Sequence, residues 1–110
     1  MDNYISAKSK INGVPERLTE ELKKIILSRK PVKKIVLFGS RATNNFRKTS
    51  DIDIAIVDKT WTDTDIAIVH SDIEEYLPTP LKFDLVNFYA ITKESLKEAV
   101  LNGIVLYESK

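Results

Sequence analysis

The sequence predicts an α+β fold, an α/β sandwich in which helices cover one face of a small sheet. Three observations carry this. Apolar runs of strand length occur at Ile35–Phe38, at Ile54–Val57 and within Lys82–Asn87, and longer stretches between them carry apolar residues at helical spacing. Pro31, Pro78, Pro80 and Gly103 stand where those helical stretches should end. Along the second run side chains alternate faces, so Ile52, Ile54 and Ile56 point to one side and Asp51 and Asp53 to the other.

Residues 1–14 mix polar with isolated apolar side chains and are expected to be loosely ordered, leaving 15–110 as a single domain. Pro15 suits the first turn of a helix. Leu18, Leu22, Ile25 and Ile26 form its apolar stripe, and it should stop near Arg29 because Pro31 disfavours helical geometry at Lys30. A first strand follows at Lys34–Phe38. From Ser40 to Ser50 a short helical turn and a loop are expected, with Asn44 and Asn45 suited to a bend. The second strand ends near Val57, and Asp58-Lys59-Thr60 makes a turn. Thr62 or Asp63 can cap the next helix, with Asp65 in a first turn whose dipole favours acidic residues. Ile66, Val69, Ile73 and Leu77 are its stripe; His70, the single histidine, is expected to pack or to face solvent. A third strand covers Lys82–Asn87. Thr92 is expected to cap a last helix, Lys93–Asn102, and Ile104–Tyr107 to add a short strand. The helices should cover the face of Ile52, Ile54 and Ile56. The carboxylates, with Ala55, Val57 and Val86, would lie on an open face.

Chemistry concentrates between Phe38 and Val57, FGSRATNNFRKTSDIDIAIV. Two carboxylates side by side repel and resist burial unless a cation neutralises them, and Mg²⁺ takes such oxygen ligands with substrate phosphates completing its shell. Gly39 lets backbone approach a ligand closely, and a helical turn starting at Ser40 would offer N–H groups and a hydroxyl to an anion. Arg41 adds a fixed positive charge suited to phosphate, and Arg47 and Lys48 either face the nucleotide or stand in solvent. Alone, Asp-x-Asp more often caps a strand or faces solvent, and Gly-Ser is more often only a turn; their conjunction, each at the correct end of a predicted strand, is far more specific. Asp84 is the third element. An aspartate within an apolar strand is costly without a partner, and placement beside Asp51 and Asp53 explains it; an edge-strand aspartate in water is the alternative.

Gly39-Ser40, ten residues, then Asp51-Ile52-Asp53 resembles the signature of DNA polymerase β-like nucleotidyltransferases, and GSRA followed by SDIDIAI resembles its minimal nucleotidyltransferase (MNT) branch. The resemblance implies a polymerase β-like fold with a small mixed sheet. It implies two Mg²⁺ ions held by Asp51, Asp53 and Asp84, and ATP as substrate with its triphosphate against Gly39, Ser40 and Arg41. Asp84 would also accept the proton of the attacking hydroxyl. For the MNT branch it implies an antitoxin that transfers AMP to a tyrosine of a helical HEPN-type RNase toxin. A contact-only binding module that neutralises its partner, and a stand-alone transferase acting on a small molecule, are the other readings the residues leave open.

Composition excludes several classes. The 110 residues are 43% hydrophobic, as in a globular protein rather than a disordered one. A net charge of +1 gives no broad basic field, so no direct nucleic-acid binding is expected. The absence of cysteine rules out disulfides and thiolate metal sites. No apolar run is long enough for a membrane-spanning helix and no signal-peptide pattern opens the chain, so a cytoplasmic location is expected.

Overall fold

The computed structural model describes residues 4–5, 11, 13–43 and 45–109. In chain order the elements are β1 (Tyr4–Ile5), α1 (Glu16–Arg29), β2 (Lys34–Phe38), β3 (Ile52–Val57), α2 (Asp63–Tyr76), β4 (Phe83–Asn87), α3 (Glu94–Leu101) and β5 (Ile104–Ser109). Single 3₁₀ turns at Ser40–Ala42 and Phe88–Ala90 join them. The five strands form one mixed sheet in the order β1-β5-β2-β3-β4. Every neighbouring pair is antiparallel except β3 and β4, which are parallel. Among the described residues no helix is long and apolar enough to cross a membrane.

Local sequence explains most element boundaries. Lys30 is fully extended, as expected of a residue before proline, so α1 stops at Arg29. Thr62 starts α2 with a capping box: its hydroxyl accepts from Asp65 N–H at 3.1 Å, and the Asp65 carboxylate accepts from Thr62 N–H at 2.8 Å. The last helix begins one residue later than expected, with Lys93 rather than Thr92 at its N-cap and no side-chain cap. Of the segment 1–14, residues 1–3, 6–10 and 12 lie outside the described residues, as does Asn44. Tyr4 and Ile5 pair with β5, and Ile11 and Val14 are buried.

Alternation along the strands divides the interior into two layers. Ile35, Leu37, Ile52, Ile54 and Ile56 face α1 and α2, packing on Leu22, Ile26, Val69 and Ile73. Burial of each such side chain stabilises the fold by about 1.5–3 kcal/mol. The opposite face carries Val36, Phe38 and Ala55, which pack on Ile91 and Val100 with Leu96 and Ala99 alongside. This corrects the expectation that helices lie on one face only. Helix α3 folds back over the carboxylate side, so Ala55 is fully buried and Val57 and Val86 are half-buried. The reason is physical: the odd-numbered positions of β3 beyond Asp53 are themselves apolar and require cover.

Far from the carboxylates, Asp65 ties the two large helices together. Besides closing its capping box, it accepts from Arg29 Nε at 3.0 Å and Nη2 at 2.9 Å and from Lys30 Nζ at 3.1 Å. The Thr62 N–H, with Lys30 and Arg29, holds this carboxyl well below the usual carboxylate range. A depressed native pKa contributes stability above the unfolded-state pKa and loses it as the pH falls through the native value. Asp65→Asn should therefore lower the melting temperature at neutral pH by more than Asp63→Asn, which lies exposed in the same turn. The gap between the two should narrow as the pH drops below the ordinary carboxylate range. Thermal melts of both variants across pH check this; equal losses would remove Asp65 from its linking role.

Candidate active site

The site lies at the end of the sheet where β3 and β4 begin. Asp53 is the second residue of β3 and pairs across the parallel ladder with Asp84, the second residue of β4. On its other side Asp53 pairs with Phe38, the last residue of β2, so Gly39 and Ser40 leave the sheet directly beside it. Gly39 adopts a φ of 80°, and a Cβ placed on it would run into the Asp53 carboxylate. Only glycine satisfies both conditions at once. Ser40 then opens a single 3₁₀ turn in which its carbonyl accepts from Thr43 and Asn45 N–H at 3.2 Å each.

Asp53 is half-buried, whereas Asp51 and Asp84 are exposed. Burial pushes the Asp53 carboxyl above its ordinary value, and the charges of Asp84 and Asp51 push it further in the same direction. The structure thus brings Gly39, Ser40, Asp51, Asp53 and Asp84 into one neighbourhood. Among the described residues no three carboxylate or imidazole groups converge into a ready cation cage. The donor set is nevertheless all oxygen, and its half-buried member, Asp53, carries a burial penalty as well as the charges of its two neighbours. That is the chemistry a hard divalent cation relieves.

Arg41 departs from expectation. Its side chain turns inward and is only 1% exposed. Its guanidinium donates to the carbonyls of Ser50 at 3.1 Å, Lys48 at 3.2 Å and Arg47 at 3.3 Å, and lies 4.9 Å from the centre of the Phe46 ring. The fixed fork expected to meet phosphate instead pins the loop that delivers Asp51. Arg47 and Lys48 keep exposed side chains. Sequence reasoning missed this role because phosphate binding and loop pinning call for the same residue type. The available signal was the loop itself, where Phe46 is the sole large apolar side chain from Asn45 to Ser50. It also missed His70, whose Nε2–H donates to the Phe83 carbonyl at 2.8 Å, anchoring β4 one residue before Asp84. Nothing in the local pattern distinguishes that anchor from a packed histidine.

A mixed sheet with a Gly-Ser turn against an aspartate pair, and a third aspartate on the next strand, defines a nucleotidyltransferase core. The chain belongs to the family described as Polymerase beta, Nucleotidyltransferase, whose model matches residues 20–110. No curated protein matches it. Among solved structures it is similar to the MntA–HpeT toxin–antitoxin in a double Asp→Glu mutant, with 21% identity, a TM-score of 0.68, and coverage of 84% of this chain and 74% of that one. A toxin–antitoxin structure with AMP-PNP matches with 22% identity, the same TM-score of 0.68 and the same 84% and 74% coverage. A Sulfolobus solfataricus protein described as a nucleotidyltransferase matches at 22% identity and a TM-score of 0.51, over 81% of this chain and 76% of that one. At these identities the likeness is one of fold.

Two predictions test the site without any assay of transfer. A carboxyl with a raised native pKa weakens the fold while it is ionised, and that penalty fades as falling pH protonates it. Asp53→Asn should therefore raise the metal-free melting temperature at neutral pH, with the advantage shrinking as the pH approaches the carboxylate range. A melt that shows no gain at neutral pH would separate Asp53 from the other two carboxylates. Arg41→Ala removes a side chain only 1% exposed together with its hydrogen bonds from a charged donor to three loop carbonyls, and bonds to charged groups are worth about 1.5–3 kcal/mol each. Urea unfolding should show a loss of at least about 2 kcal/mol. A loss within about 0.5 kcal/mol, typical of surface positions, would contradict the pinning role.

Proposed function

We propose that this chain is a Mg²⁺-dependent nucleotidyltransferase that moves AMP from ATP to a hydroxyl of a partner protein. The partner in this reading is a helical HEPN-type toxin modified on a tyrosine, and the chain is its antitoxin. The observation that carries the reading is Asp53, half-buried between Gly39 and Asp84 with its carboxylate strained by both neighbouring aspartates. Family membership supports nucleotidyl transfer, and the toxin–antitoxin neighbours, one of them with AMP-PNP, support the partner and the nucleotide.

Asp51, Asp53 and Asp84 would hold the divalent ions, which when bound neutralise phosphate charge and stabilise the entering and leaving oxygens. Gly39 gives the triphosphate close access to backbone, with Ser40 adding a hydroxyl. Arg41 acts from behind by fixing the loop that carries Asp51. The acceptor oxygen bonds to the α-phosphorus, the bond to pyrophosphate breaks, and the hydroxyl proton passes to the exposed carboxylate of Asp84. General-base assistance is worth about 10²–10⁴-fold.

Asp84→Asn should therefore keep measurable Mg·ATP binding and lose transfer by at least about two orders of magnitude. Calorimetric ATP titration and single-turnover AMP incorporation into a co-expressed helical partner give the two numbers. Near-normal transfer would remove Asp84 from the chemistry and leave it a solvated strand residue.

A further inference from the structure

We infer that the groove along the free edge of β4 is the acceptor site, and that it takes an extended polypeptide segment bearing the reacting hydroxyl. This rests on the transfer reading above and adds to it where the acceptor lies and in what form. Beyond Asp84 lies a cavity of about 640 Å³. Its floor is β4 from Asp84 to Asn87, one wall is Ala67 and His70 of α2, and the other is Ile91 and Leu96.

Three observations lead to this occupant. The first is direction. Gly39, Asp53 and Asp84 follow one another across adjacent strands β2, β3 and β4. In-line displacement needs the attacking oxygen opposite the departing pyrophosphate. With the pyrophosphate against Gly39 and Ser40, the hydroxyl enters from the β4 side. The second is that the sheet face beside the site is closed, since α3 and the 88–90 turn already cover Ala55. The third is the edge itself. Ile52 N–H donates to the Lys82 carbonyl at 2.9 Å, so the backbone groups of residues 82, 84 and 86 face β3 and those of 83, 85 and 87 face outward. His70 takes up the Phe83 carbonyl. The N–H and C=O of Leu85 therefore present a donor and an acceptor to the groove, the pattern that recruits an added strand. Charge refines the occupant. Asp63 lines the α2 wall, and α2 from Asp63 to Tyr76 contains no lysine or arginine, whereas Lys93 lines the opposite wall, so a basic flank fits on the α2 side of the groove.

The test supplies Mg·ATP with three acceptor sets. The first is a library of short peptides with a fixed central Ser, Thr or Tyr and Lys-containing flanks. The second is the same library N-methylated at alternate amides, and the third is tyrosine amide and serine amide alone. Wild type should label the first set at least about tenfold better than the other two, the ratio expected when about 1.4 kcal/mol of backbone pairing is lost. Ala67→Trp and Ala90→Trp fill the groove from opposite walls and should each cut peptide labelling at least about tenfold while binding Mg·ATP as wild type does. Either variant alone suffices should the other fail to fold. Ile68→Trp, the neighbouring exposed position outside the groove, should label normally. Labelling of the N-methylated peptides or free amides as well as the parent peptides overturns the inference in favour of a small acceptor. Unchanged labelling by the groove-filled variants overturns it too, as does a wild type that binds Mg·ATP yet labels no peptide. A wild type that fails to bind Mg·ATP overturns the transfer reading itself.

Discussion

Repulsion among Asp51, Asp53 and Asp84 is the constraint around which the rest of this structure is arranged. Left to themselves, three carboxylates would separate, and solvent would favour their doing so. The sheet prevents it. Asp53 sits on an inner strand, flanked by Phe38 on β2 and by Asp84 on β4, so its backbone cannot retreat without breaking two ladders. Burial of the Asp53 carboxyl and, after it, the charges of Asp84 and Asp51 together raise its proton affinity. Among the described residues no salt bridge reaches Asp51, Asp53 or Asp84. Arg41 directs its guanidinium into the loop carbonyls.

What holds the arrangement is the apolar layer beneath it. Ile52, Ile54 and Ile56 on β3 are fully buried, and each contributes about 1.5–3 kcal/mol. That burial exceeds what local repulsion at a half-solvated site can cost, so the strand stays in register and the charges stay together. Three side chains then act as fasteners around the site. Gly39 yields the space the Asp53 carboxylate occupies, Arg41 fixes the approach to Asp51, and His70 fixes the approach to Asp84. None of the three has to touch a substrate to matter for the site's geometry.

The parts of this architecture that depend on near neighbours in sequence were legible from it. Period-two alternation separated Ile52, Ile54 and Ile56 from Asp53, Pro31 ended α1, and Thr62 capped α2, because each is a matter of a few consecutive residues. The meeting of Asp53 with Asp84 was legible for a different reason: a lone aspartate in an apolar strand demands an explanation, and the pair supplies one. Besides the His70 anchor, two features were not legible. The stripe of α3 announces an inner surface but not which face of the sheet it will cover, since both faces of β3 offer apolar residues beyond Asp53. Arg41 carries the same charge whether it meets a phosphate or three carbonyls, and only the path of the 45–50 loop decides between them.

The parallel pairing of β3 and β4 is the step that turns these local features into a site. In an antiparallel pair, the second residue of β4 would lie across from the far end of β3, near Ile56, and Asp84 would be remote from Asp53. The parallel arrangement needs a crossover, and α2 provides it, packing on β4 as it returns. One consequence is that the second residues of the two strands meet. Another is that β4 becomes an edge with helix α2 standing beside it, so the carboxylate cluster is walled on the β2 side and approachable on the other. The crossover helix is itself secured at the opposite end of the sheet, where Asp65 joins it to Arg29 and Lys30. The end of the molecule that is tightly paired in charge thus holds the topology, and the end where like charges are left facing one another is where chemistry can occur.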